Sequence, residues 1–221
     1  MELYEKPYRH RNLWIIIKLA VILYWYLSAR DVRAVLYYLF RFLISHKSIC
    51  AWAKKFPEAL PKKKIHYKEN ETVILFADEK YVWIKNVKAY WWSVRDHLSN
   101  VLANVVTFSR NAAAAKCLFR RAKARIDGQV HAVVHDGLKS YDKAVHWIFG
   151  RNCKSIVAGI QGKCVMINGE LYWITNNTAE SLNAQIDAYL ARHHYNFNSL
   201  GSANYFAAMF LERRNLRAAC T

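Results

Sequence analysis

Apolar positions change their period along the chain, and each change marks a different kind of element. From Asn12 to Leu27 they are nearly continuous, which predicts a helix buried on most faces. Ser28-Ala-Arg-Asp31 reads as a capping box, with Asp31 reaching back. It opens a second helix that carries Val32, Val35, Leu36 and Leu39 at helical spacing. A short turn over 41–44 leads to Ser45, a good N-cap for a third helix with Ile49, Trp52, Ala53 and Phe56 on its inner side. Pro57 and Pro61 stop that helix, and Lys62, Lys63 and Lys64 begin a solvated linker.

From Thr72 the period shortens to that of strands. Thr72–Ala77, Tyr81–Lys85, Ala89–Val94 and Val101–Phe108 form a predicted antiparallel set. A helix over Asn111–Ile126, a strand Val130–His135, a helix Leu138–Phe149 and a strand Lys154–Ala158 follow. Asn168-Gly169 is the type I′ signal of a hairpin within 165–174. Helices over Thr178–His193 and Ser199–Leu216 close the chain. Meandering strands followed by alternating helix and strand predict an α/β domain of the ribonuclease-H-like order. The expected organisation is a helical domain over 1–60, a basic linker over 61–70, and an α/β domain over 71–221 with a hairpin insertion near 163–175.

Helix, short turn and helix within about 30 residues make the helix-turn-helix outline, whose last helix enters the major groove. Its outward residues are His46, Lys47, Ser48, Cys50, Ala51 and Lys54. An ordinary three-helix bundle with a basic solvent face fits the same segment equally well.

Charge sharpens the picture. The chain carries 33 Lys and Arg against 16 Asp and Glu, net +17. Such a surplus repels itself and is relieved by a polyanion, so nucleic acid is the expected partner and an anionic membrane surface the competitor. Residues 1–68 hold 14 basic and 4 acidic side chains, net +10, so the amino-terminal third is the denser polyanion surface. With 54% hydrophobic residues and 22% charged, a sizeable core is expected and wholesale disorder is not. The five cysteines (50, 117, 153, 164 and 220) form no CxxC pair, which argues against a zinc ribbon or a disulfide scaffold and fits a reducing interior. The first ten residues are polar and charged, unlike a signal peptide. Leu13–Leu27 contains Lys18 and is shorter than the ~20 apolar residues of a membrane span.

The candidate chemistry lies in three acids far apart in sequence. Thr72-Val-Ile-Leu-Phe-Ala-Asp78-Glu79 reads as a buried strand ending in carboxylates, which are costly beside a core unless a cation meets them. Asp136 follows a second apolar strand in a His-Asp-Gly turn, and Glu180 stands at the head of an amphipathic helix. Acids that end different elements on one side of a sheet can converge on two Mg²⁺ or Mn²⁺ ions ~3.5–4 Å apart, the arrangement of two-metal phosphodiester chemistry. Taken singly, each has an ordinary role: Asp136 as a helix cap, Glu180 as a partner of the helix dipole, Asp78 as a partner of Lys80 or Lys85. Glu79 is expected on the opposite face of its strand and ranks behind Asp78 as a ligand. Asp187 lies two turns beyond Glu180, roughly 10 Å along the axis, too far to share an ion. His135, beside Asp136, is expected to be structural rather than to assist it, and Tyr90, Trp91 and Trp92 to be core, with stacking on a flipped or frayed base as the lesser reading. Arg110, Lys116, Arg120, Arg121, Lys123 and Arg125 form a basic run that reads as a solvated face or a DNA-backbone contact.

Phe76-Ala-Asp-Glu-Lys-Tyr81, Val134-His-Asp-Gly-Leu-Lys-Ser-Tyr141 and Asn176-Asn-Thr-Ala-Glu-Ser-Leu-Asn183 resemble the three acidic motifs of DDE transposases. They are most similar to compact prokaryotic enzymes of the sixth insertion-sequence family. Trp25–Asp31 with Ser45–Trp52 resembles the helix-turn-helix of that family, and Phe197–Ala203 the segment after its third acid. The 44-residue step from Asp136 to Glu180 is longer than is usual there, an excess the Asn168-Gly169 hairpin accounts for. The helix after Glu180 carries Ala188, His193 and His194 where relatives are more basic, leaving Arg192.

The resemblance implies that Asp78, Asp136 and Glu180 are a catalytic, metal-holding triad for two Mg²⁺ or Mn²⁺ ions. It implies cleavage at element ends to expose a 3′-OH, followed by attack of that 3′-OH on target DNA. The expected DNA contacts are His46, Lys47, Ser48, Lys54, Lys62, Lys63, Lys64, Arg110, Arg120 and Arg121. A homodimer or larger assembly working on double-stranded DNA in a prokaryotic cytoplasm completes the expectation. A non-catalytic DNA-binding relative and a ribonuclease-H-like nuclease are the rival readings.

Overall fold

The computed structural model describes residues 13–59, 64–192 and 196–218, which leaves the expectations placed on Lys62, Lys63, His193 and His194 outside the described residues. The chain divides into two compact units, residues 1–61 and 62–221.

The first unit contains three helices, α1 (Leu13–Tyr24), α2 (Ala29–Phe40) and α3 (His46–Ala59). Ala20, Val32, Leu36, Ile44 and Ile49 form its buried cluster. Ser28 caps α2, its Oγ accepting from the Asp31 amide at 3.2 Å. Asp31 meets the Ser28 hydroxyl at 2.7 Å, so this acid closes the turn through the side chain that caps it. Arg41 adopts the left-handed conformation (φ 52°) and ends α2 without a glycine. Ser45 Oγ accepts from the Ser48 amide at the start of α3.

Three expectations are corrected in this unit. Helix α1 is not buried all round, since Trp14 and Ile15 are 54% and 64% exposed. Leu39 is exposed although it continues the stripe of Val32 and Leu36, because it lies one residue from the end of α2, beyond the last buried position of the helix. Pro57 does not stop α3, which runs on through it to Ala59.

The second unit is built on a five-stranded sheet of order β4-β3-β2-β6-β7. Strands β2 (Ile74–Ile84), β3 (Val87–Asp96) and β4 (Val101–Thr107) pair antiparallel, whereas β6 (Ala132–His135) pairs parallel with both β2 and β7 (Lys154–Val157). This is the ribonuclease-H-like α/β arrangement. Helices α4 (Ala112–Lys123) and α5 (Lys139–Phe149) pack with one sheet face around Leu75, Trp92, Leu118, Phe119 and Tyr141. Ile74, Phe76, Ala132, Val134 and Ile156 on the other face pack with Ala179 of α6 (Asn177–Arg192). Helix α7 (Leu200–Ala218) lies against β4, with Asn204 bonded to both backbone groups of Val106. A short parallel pair, β1 (Ile65–His66) with β5 (Ile126–Asp127), is held by two residues on each side.

The strands expected over Thr72–Ala77 and Tyr81–Lys85 are one continuous strand, β2, and the reversal comes only at Lys85-Asn86, where both residues have positive φ. The Asp-Glu-Lys segment looked like a strand end because it is polar. Its side chains are met by neighbours, so pairing with β3 runs through it without a break. The Asn168-Gly169 turn has positive φ at both residues and joins β8 (Lys163–Ile167) to β9 (Glu170–Ile174).

Candidate active site

Register explains how two distant acids become neighbours. Strands β2 and β6 pair in parallel with Phe76 opposite Val134, and their pairing stops there. Carried two residues further, the same register sets Asp78 beside Asp136 on one face of the sheet, a strand spacing (~4.8 Å) apart. Beyond β6 the backbone turns at Gly137 (φ 102°), where a Cβ would stand 3.1 Å from Val157 Cγ1. That crowding and the positive φ restrict the position to glycine. The Asp136 carboxylate accepts from the Leu138 amide at 3.1 Å, so it closes the turn into α5 and still presents an exposed face.

Glu79 projects to the α4–α5 face, as strand alternation requires. There it accepts from the Tyr141 hydroxyl at 2.7 Å and from Arg110 Nε at 2.6 Å. Its carboxylate nevertheless reaches the sheet edge: ligand oxygens of Asp78, Glu79 and Asp136 all lie within 4.8 Å of one another. Arg110 Nη2 stands 3.8 Å from Asp136, so this guanidinium sits between two of the three acids.

Asp78 is 8% exposed and makes no ion pair with Lys80, whose ammonium goes to Asp187 and to the carbonyl of Asn183 instead. It accepts from the Glu79 amide at 2.9 Å and from Asn183 Nδ2 at 2.7 Å. Burial pushes its carboxyl up to about 7, opposed by the Glu79 amide and reinforced by the charges of Glu79, Asp136 and Glu180. Burial also raises Glu79, against the hydrogen bonds from Tyr141 and Arg110. Arg110 is held charged more firmly than usual: burial works against it, but the Glu79 bond and carboxylate attraction outweigh that.

Glu180 lies in the first turn of α6, exposed, and close enough to repel Asp78. It is not among the three acids whose oxygens gather within 4.8 Å. Helix α6 is fixed at this edge by Arg95 Nη1 on the Thr178 carbonyl (3.2 Å), by Lys80, and by Asn183 on Asp78. Asn183 is three residues beyond Glu180 and so shares its helix face. That spacing was the available signal for its role, together with Tyr141 three residues into α5.

His135 is fully buried. Its Nδ1 accepts from the Gly137 amide at 3.1 Å, which leaves the proton on Nε2, donated to Ser155 Oγ at 2.8 Å; Ser155 passes its own to Asp142 at 2.6 Å. Trp91 and Trp92 are core at 0% exposure, while Tyr90 is half-buried. His46, Lys47 and Lys54 are exposed on α3 and Ser48 is half-buried; Lys64, Arg120 and Arg121 are exposed in the second unit.

A family model described as a DDE domain, of the IS240 transposase type, matches residues 73–218. The chain belongs to the DDE transposase family. No curated protein matches it in sequence. Among solved structures, the DDE chain is similar to a chain of the simian T-cell lymphotropic virus intasome in complex with PP2A regulatory subunit B56 gamma. That likeness has 9% identity over 86% of this chain and 67% of that one, at a TM-score of 0.42. It is also similar to the HTLV-2 integrase catalytic core domain in complex with magnesium, in a trimeric form. There the identity is 12% over 60% of this chain and 81% of that one, at a TM-score of 0.39. Among the described residues, no helix is long and apolar enough to cross a membrane.

Proposed function

We propose that this chain is a transposase that cuts DNA strands at insertion-sequence ends and joins the freed 3′-OH to target DNA. The observation that carries the reading is the gathering of Asp78, Glu79 and Asp136 at one sheet edge, in a DDE-family chain of net charge +17. An all-oxygen donor set suits Mg²⁺ or Mn²⁺. The Asp78 carboxyl is raised first by burial and then by the charges of Glu79, Asp136 and Glu180, and a bound cation would offset both, so the residues fit such ions.

Bound ions would supply activation of the attacking oxygen and stabilisation of the leaving one. Asp78 and Asp136 are the ligands from neighbouring strands, and Glu180 completes the set from the open side of α6. Asn183 orients Asp78, and Tyr141 with Arg110 orients Glu79. The residues contacting DNA are His46, Lys47, Ser48 and Lys54 at the terminal repeats, with Lys62, Lys63, Lys64, Arg110, Arg120 and Arg121 on the backbone. Two DNA ends must be held together, so the working form is a homodimer or larger.

The test uses the full chain with DNA spanning the flanks of its own gene and Mg²⁺. End-specific nicks and joined products are expected. They should vanish on chelation and in Asp78→Asn and Asp136→Asn, with DNA binding retained. Cutting without joining would point to a nuclease, and joining that survives both substitutions would reject the reading.

A further inference from the structure

The hairpin of β2 and β3 extends past the sheet edge, and its outer face is aromatic and basic. Along β2, Glu79, Tyr81 and Trp83 share one face, with Tyr81 and Trp83 ~7 and ~13 Å from Glu79 at the rise of a strand. Tyr81 and Trp83 are 58% and 59% exposed. Across the ladder, Tyr90 stands opposite Tyr81 and Lys88 opposite Trp83. Tyr81 meets Tyr90 edge to face at 5.9 Å between centroids. Lys88 Nζ lies 3.5 Å over the Tyr81 ring and 5.8 Å from that of Tyr90, which fixes an ammonium on this face. The row therefore runs along the Glu79 face, from Glu79 through the Tyr81–Tyr90 pair to Trp83 and Lys88, and past Glu79 it holds no acid.

Packing does not require an indole left more than half exposed at a hairpin tip. Fixed cations among stackable rings suit a strand of nucleic acid, and the face of a base is open to a ring only where the base is unpaired. We propose that Tyr81, Trp83, Lys88 and Tyr90 form a platform for unpaired nucleotides of the DNA strand whose phosphate lies at the carboxylate cluster, Trp83 stacking a base and Lys88 meeting a phosphate. This rests on the DNA strand-transfer reading above and names the DNA form that the site prefers.

The test measures fluorescence anisotropy with the full chain, without divalent cation. It compares a labelled duplex carrying a few unpaired nucleotides at one end with the blunt duplex of the same sequence. The wild-type chain prefers the frayed DNA, Trp83→Ala weakens that binding ~5–150-fold, Trp83→Phe restores most of it, and blunt-duplex affinity stays unchanged. Equal affinity of the wild-type chain for both DNAs overturns the platform, as does an equal loss on both in Trp83→Ala. Altered sedimentation in Trp83→Ala, with both affinities intact, assigns the face to a second copy of the chain and overturns it too. Nicking and joining by the wild-type chain with Trp83→Ala binding normally sinks the platform alone. Absence of nicking and joining sinks the transposase reading, whatever Trp83 does.

Discussion

Asn183 donates a 2.7 Å hydrogen bond to Oδ2 of Asp78, joining helix α6 to the sheet edge across 105 residues of sequence. The bond aims a buried carboxylate that no lysine or arginine pairs among the described residues. Asn183→Ala should cost about 1.5–3 kcal/mol, the range for a hydrogen bond to a charged group. It should slow metal-dependent cleavage with DNA affinity unchanged. Chemical denaturation and a nicking assay on one variant check both.

Divalent cation should stabilise the chain, and more at pH 8 than at pH 6. The folded carboxyl of Asp78 sits at about 7 against 3.8 when free, so between those values the folded state holds a proton that the unfolded state has lost. Stability of the metal-free protein therefore falls as pH rises through this window, and cation binding must expel the remaining proton. At 100 times its Kd, Mg²⁺ or Mn²⁺ adds about 2.7 kcal/mol. Thermal melts with and without metal at the two pH values read the effect. Asp78→Asn should melt higher than wild type without metal and lose most of the metal response.

Glu180 should behave unlike the other acids. It stands outside the cluster of three, so Glu180→Gln should abolish strand cleavage yet keep most of the metal-induced rise in melting temperature, measured without DNA. A loss of that rise equal to the one in Asp136→Asn would place Glu180 inside the cation site of the free protein.

How much of this was legible in the sequence depends on the kind of interaction. The apolar period and turn residues revealed the strands, the helices and the Asn168-Gly169 hairpin, because those signals are local. The continuity of β2 was hidden: Asp78-Glu79-Lys80 looks like a strand end, and only the partners Asn183, Tyr141, Arg110 and Asp187 make its charges tolerable inside one. Glu79 was placed on the correct face, but alternation does not reveal that a long side chain at a sheet edge reaches around it.

Arg110 and Glu79 should be separable by substitution. The Glu79 side chain is 2% exposed and that of Arg110 38%, so Arg110→Ala strands a buried carboxylate. A loss of about 1–3 kcal/mol is expected, below the 3–5 kcal/mol of a fully buried pair because solvent reaches the guanidinium. Glu79→Gln in the same background should restore part of it, and a double-mutant cycle by urea unfolding measures the coupling.

His135 should make the fold acid-sensitive. Burial lowers its pKa from 6.5, and the Gly137 amide already occupies the nitrogen a second proton would need. Below about pH 6.5 the unfolded chain takes a proton that the folded chain refuses, so stability falls as pH drops. Urea midpoints at pH 5 and 7 should differ more in wild type than in His135→Gln.

A single unbroken β2 also restricts how this chain can vary. Asp78, Glu79, Tyr81 and Trp83 keep their sides of the sheet only by odd and even count along eleven residues of strand. Exchanging one letter there alters one side chain, whereas adding or deleting one swaps the two surfaces for everything downstream to the turn. Between Asp78 and Lys85, length should therefore be far less forgiving than identity.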